Sequence, residues 1–336
     1  MKKSLVYLCI GVIFAVVGAI APVRKENIVS VGRGNGVDYA VSDSEAFCEF
    51  LDGIDELVQK LSQKEENGVP VYSETQDKEP AEEIKSFSWH TSNRLSQTYS
   101  YSDYDSDAGI SVSQKTRTYL DKEMYVYITE DSSYYVSKGI VNSYSHYERS
   151  VNKNRPVAED KNETTNQSMK FDVEIFRNKE INLLRLNEFI VTEDGQTKNL
   201  GTPDVWIDMT DTALGSAFDS VRDLNSFILE KIGSYFENNT DNFSVDNGLY
   251  ILKDNYLEGF LNTKNGRFTV DLSGKTKATV TLAASFVSGG SSSSGEDILE
   301  FYNINNTVIN LKKAKKTMSA KEWAATHDDG VFLFGE

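Results

Sequence analysis

Between Met169 and Ile175 every second residue is apolar and every intervening one is charged: Met169-Lys170-Phe171-Asp172-Val173-Glu174-Ile175. Successive side chains point to opposite faces only in an extended strand, so this segment commits the chain to a sheet with one buried and one wet face. Met124, Val126 and Ile128 repeat the rule within a stretch of period two running from Ile84 to Val191. Connections this short read as an antiparallel meander rather than parallel βαβ units. Residues Arg149 to Ser168 interrupt the alternation with polar, charge-mixed sequence that reads as a loop.

Two other stretches change period. Ser42-Asp43-Ser44-Glu45 has the pattern that caps a helix start, and Phe47, Phe50, Leu51, Ile54, Leu57, Val58 and Leu61 follow at spacings of three and four. The spacing predicts an amphipathic helix that ends near Asn67-Gly68. A second is predicted from about Thr210, carrying Leu214, Phe218, Val221, Leu224, Ile228, Ile232 and Phe236 along one face to Asn238-Asn239. Strands return at Leu249 to Leu252, Tyr256 to Leu261, Arg267 to Leu272 and Thr276 to Ser288, with Lys264-Asn265-Gly266 read as a hairpin turn. A Gly/Ser stretch from Gly289 to Gly295 reads as a linker, Ile298 to Ile304 and Val308 to Leu311 as strands, and Ser319 to Thr326 as a short helix. The order is helix, meander, helix, meander. It predicts an α+β fold, a curved antiparallel β-sheet covered on one face by amphipathic helices.

That order, with "NGLYILKDNYLEGFL", "NGRFTVDLSGKTKATVTLAASF" and "ILEFYNINNTVINL", resembles the LolA/LppX-type fold of extracytoplasmic bacterial lipid and lipoprotein carriers. The likeness spans residues 42–311. It implies a half-barrel closed by helices, with a lipid or other apolar ligand held between them against Leu214, Phe218, Val221, Ala278, Val280, Leu282 and Phe286. Alternation tells which face is buried and not whether a hole is left, so an ordinary packed core is the competing reading of those residues.

The apolar run Leu5 to Ala21 behind Lys2 and Lys3 is an export signal, cleaved after Ala19 or retained as an anchor. The expected organisation is therefore leader (1–21), linker (22–41), one domain (42–311) and a tail (312–336). The address is extracytoplasmic, secreted or anchored by the N-terminal segment, and membrane contact would come only through that segment if it is uncleaved. Net charge is −16, or −18 once Lys2 and Lys3 leave, which repels phosphate backbones and argues against nucleic acid as a partner. Cys48 alone would outlast cleavage, so no intramolecular disulfide is expected. His90, His146 and His327 stand without a partner at metal-ligand spacing.

The nearest thing to a chemical motif is Asp103, Asp105 and Asp107, whose alternate carboxylates can converge on calcium. The pattern departs from a calcium loop at Ala108, where a glycine is needed, and at Gln114, where a bidentate Glu is needed. Ten of the 17 tyrosines lie between Tyr99 and Tyr147, a pattern that suits half-buried strands and also suits an adaptable surface for a protein or glycan. With no nucleophile elbow, phosphate loop or zinc motif, the sequence reads as a non-enzymatic binding protein without a cofactor. A surface module meeting a protein or glycan through its outer sheet face is the alternative to a lipid carrier.

Overall fold

A computed structural model describes residues 29–35, 41–62, 83–151, 159–210, 212, 232–253, 265–274, 276–288, 290–311 and 316–327. Its strands are β1 (Val29–Arg33), β2 (Ser86–Asp105), β3 (Ile110–Thr129), β4 (Ser132–Val151), β5 (Lys161–Asn178), β6 (Asn182–Glu193), β7 (Gln196–Asn199), β8 (Trp206–Asp208), β9 (Phe243–Asp246), β10 (Leu249–Leu252), β11 (Asn265–Asp271), β12 (Lys277–Ser288), β13 (Ser291–Tyr302), β14 (Thr307–Leu311) and β15 (Thr317–Ser319). The helices are α1 (Ser44–Ser62), α2, described over residues 232–238, and α3 (Ala320–Ala325).

Thirteen strands form one sheet along the path β15-β8-β6-β5-β4-β3-β2-β13-β12-β11-β10-β9, with β7 added beside β6. The two predicted meanders are one sheet because β13 pairs with β2 from Ser292↔Thr98 to Tyr302↔Ser88. Among the described residues the path stays open at β15 and β9. Pairing is antiparallel except where β15 runs parallel to β8. Asn247 and Gly248, with φ of 48° and 84°, make the tight β9–β10 turn, and Asp194-Gly195 does the same between β6 and β7.

On one sheet face α1 buries Phe47, Phe50, Leu51, Ile54 and Leu57 against Phe87, Trp89, Val126, Ile128, Val280 and Phe301. Asp43 starts the helix: its carboxylate accepts the Ala46 N–H at 3.0 Å, and that bond holds the acid below its usual range. Further along the same face α3 lays Ala320 and Trp323 over Met169, Phe171, Leu186 and Ile207. The opposite face carries the two-stranded ribbon of β1 and β14, whose Val29 packs with Tyr134, Phe176, Leu183 and Trp206. Below the ribbon, Tyr134 Oη donates to Glu174 Oε2 at 2.6 Å, Glu174 pairs with Arg185, and the Arg185 guanidinium lies 5.0 Å from the Trp206 ring centre.

The expected α+β half-barrel is therefore corrected. Strands of up to 20 residues dominate, helices are minor, and cover lies on both faces of the sheet instead of one. The run Ser291 to Ser294, read as a linker, is the start of β13, and Lys161 to Ser168, read as a loop, is the start of β5. Asn265 and Gly266, read as a turn, belong to β11. Val29–Arg33, within the stretch read as linker, is β1, and the expected strand from Tyr256 to Leu261 lies outside the described residues.

Candidate binding surface

The sheet has two halves. In the covered half, alternate residues such as Phe87, Trp89, Met124, Val126 and Ile128 are buried. Beyond Arg94 on β2, no described residue of that strand is buried, and the same holds for β3 before Leu120, β4 after Ser137 and β5 before Met169. Among the described residues this distal half is a single layer, wet on both faces. Its side chains are mostly Ser, Thr, Tyr, Asn and Gln, which form strands without needing a partner layer, because β-branched and aromatic groups fill the pleat while hydroxyls and amides meet water.

On the face that carries the β1–β14 ribbon lower down, two successive rungs cross the distal half. One runs Ser96, Tyr119, Asn142, Ser168, Thr192 across β2 to β6; the next runs Thr98, Arg117, Tyr144, Asn166 across β2 to β5. Together with the intervening Gln97, Thr118, Ser143 and Gln167, and with Gly195, they line an open groove of about 440 Å³. Its shape is fixed from within. Arg117 lies 5.9 Å from the Tyr144 ring centre, the Tyr119 hydroxyl donates to Asp121 Oδ2 at 3.1 Å, and the Asn166 N–H donates to Asp194 Oδ1 at 2.8 Å. The Asp121 contact raises the Tyr119 phenol above its usual range, so the groove presents a neutral hydroxyl.

The residues expected to line a ligand space fare differently. Ala278, Val280 and Leu282 are buried in the core beneath α1. Phe286 is on β12 opposite Ser293, its side chain outside the described set, as are Leu214, Phe218 and Val221 altogether. Where described, the space between α1 and the sheet is filled with rings: Phe47, Phe50, Phe236 and Phe301 are all fully buried, with Phe50–Phe301 centroids 5.4 Å apart and Phe47–Phe236 5.7 Å apart. Asp103, Asp105 and Asp107 sit at the exposed β2–β3 end. Asp105 Oδ1 accepts the N–H groups of Asp107 and Ala108, and Asp103 accepts from Tyr101 and Tyr104. Among the described residues no three metal-binding side chains gather.

No protein-family model and no curated protein matches the sequence. Solved structures do. The translocator domain of autotransporter NalP from Neisseria meningitidis matches at 8% identity and a TM-score of 0.17, covering 79% of this chain and 99% of that one. The beta domain of the Bordetella autotransporter BrkA matches at 6% and 0.15, over 66% and 100% of the chains. The transport unit of AIDA-I from Escherichia coli matches at 6% and 0.13, over 75% and 97%. At such scores the superpositions are too loose to transfer a fold or an activity. None of the three is a LolA/LppX-type carrier. The ring-filled core and the strand-dominated architecture correct both the resemblance to that family and the lipid-carrying role it implied.

The groove was beyond sequence reasoning because its residues alternate polar with polar. The tyrosine concentration from Tyr99 to Tyr147 was the one signal, and Tyr119 and Tyr144 are two of its members.

Proposed function

We propose that the protein is a non-enzymatic extracytoplasmic module, released or held by its N-terminal run, that binds a neutral glycan in the distal groove. The carrying observation is the pair of rungs that sets Tyr119 and Tyr144 among Asn142, Asn166, Ser96, Ser168 and Thr192. Sugar rings offer C–H faces that stack on aromatic planes and hydroxyls that pair with amides, and these are the groups the groove presents. Its volume falls within the roughly 300 to 1,000 Å³ of ligand clefts. A chain of net charge −16 disfavours polyanions, which leaves neutral saccharides as the fitting class. Arg117, held over Tyr144, is positioned to donate to a sugar hydroxyl.

Screening the purified chain against immobilised neutral and acidic glycans tests the reading. Retention of a neutral glycan is expected, with Tyr119→Ala and Asn142→Ala each weakening binding about tenfold, equivalent to roughly 1.4 kcal/mol. Retention unchanged in both variants, or no glycan retained, would reject it.

A further inference from the structure

At the border between the covered and the single-layer half, three polar side chains stand next to one another on the core-facing side. Asp297 of β13 pairs opposite Asn93 of β2, and Asn93 opposite Lys122 of β3. Leu95 and Leu120 flank them on the distal side, and Met124, Thr91 and Leu299 on the core side. Lys122 is 1% exposed and Asn93 9%. Asn93 Nδ2 donates to Asp297 Oδ1, while Asn93 Oδ1 is buried with no hydrogen-bond partner among the described residues. On the other side of Lys122 is Gly139, where a Cβ would come within 2.9 Å of the Lys122 Cβ, so no side chain separates this strand from its β4 neighbour there.

A buried lysine, a buried carboxamide and a half-buried carboxylic acid in a row are the reactants and the acid–base group of an amide exchange. Cross-strand partners have Cβ atoms about 4.5 to 5.5 Å apart, a gap that a folded lysine side chain spans to reach the neighbouring Cγ. Burial lowers the Lys122 amine to about 7 and raises Asp297, whose shift the Asn93 hydrogen bond and the Lys122 charge partly offset. Both groups are thereby biased toward the neutral forms the chemistry needs.

We propose that Lys122 and Asn93 become joined by an intramolecular isopeptide bond, with Asp297 as the catalytic acid and base. The Lys122 Nζ lone pair attacks Asn93 Cγ to give a tetrahedral centre. Asp297, already at Nδ2, gives its proton to that nitrogen; the Cγ–Nδ2 bond breaks and ammonia leaves. The Asp297 carboxylate then takes the surplus proton from Nζ. Amine plus carboxamide yields secondary amide plus ammonia, without oxidant or cofactor. The product ties β2 to β3 where the cover ends, a staple in a chain whose second cysteine lies in the leader.

Peptide mass spectrometry of the purified full chain after trypsin tests this. In the wild type the peptides holding Asn93 and Lys122 are expected joined, lighter than their sum by one ammonia, with cleavage after Lys122 missed. Asn93→Asp should remain joined with loss of one water instead. Lys122→Arg, Asn93→Ala and Asp297→Asn should give separate peptides, each variant shown folded by circular dichroism. Separate wild-type peptides at full mass in a folded chain, or Asn93 merely deamidated, would overturn the proposal.

Discussion

At the residue scale, what matters is which single side chains have no room or no substitute. Gly53 lies on α1 where a Cβ would come within 2.5 Å of Ile84 Cγ1. Alanine is the better helix former by about 1 kcal/mol, yet here overpacking wins, and Gly53→Ala is expected to destabilise by about 1 to 3 kcal/mol in urea unfolding. Glu174→Ala strips a carboxylate from Arg185 and Tyr134 and leaves a buried cation, so a loss of about 3 to 5 kcal/mol is expected in the same assay. Lys122 supplies a pH test. In an Asn93→Ala background its amine stays titratable, facing Asp297 of β13. Its folded value of about 7 lies below the ordinary 10.5, so between those values the unfolded chain holds the extra proton. Stability therefore rises with pH across that window and gains nothing from Lys122 below it. Thermal unfolding at pH 7 and pH 9 should record the rise in Asn93→Ala, and its loss in Asn93→Ala with Lys122→Met. The linked wild type should lack it too.

At the scale of elements, the C-terminal piece is part of the fold. Ser319 and Glu322 form a reciprocal cap, α3 follows, and the fully buried Trp323 donates from Nε1 to Thr202 Oγ1 at 3.1 Å. Trp323→Ala should cost about 3 to 5 kcal/mol, measured by denaturant titration. The short helix was read in the sequence over Ser319 to Thr326, and α1 from its three-and-four spacing. The docking of Trp323 was not, because a six-residue helix has too little pattern to name its partner. Core strands such as Met169 to Ile175 were legible because one face is buried and the other wet. Lys161 to Ser168 and Ser291 to Ser294 were not: a strand wet on both faces has no hydrophobic alternation, and its Ser- and Asn-rich sequence looks like a linker. For the same reason the groove residues left no mark beyond the tyrosine count. Alternation could not tell whether rings meet across a buried face, and beneath α1 Phe50 and Phe301 do.

At the scale of the whole molecule, one sheet serves two purposes. Its lower half, pressed between α1 on one face and the β1–β14 ribbon on the other, holds the buried aromatic and aliphatic side chains. Its upper half projects as a single layer and offers the groove. Its backbone bonds to neighbouring strands across β2 to β5, but among the described residues no layer shields them, so opening there is expected at lower free energy than in the covered half. Hydrogen exchange followed by peptide mass spectrometry tests this division most directly. Peptides from 96–104 and 111–118 should exchange more slowly than unstructured chain yet faster than 86–92 and 124–128 in the same strands. Exchange of the distal peptides at the unstructured rate, or protection equal to that of the covered half, would contradict the account.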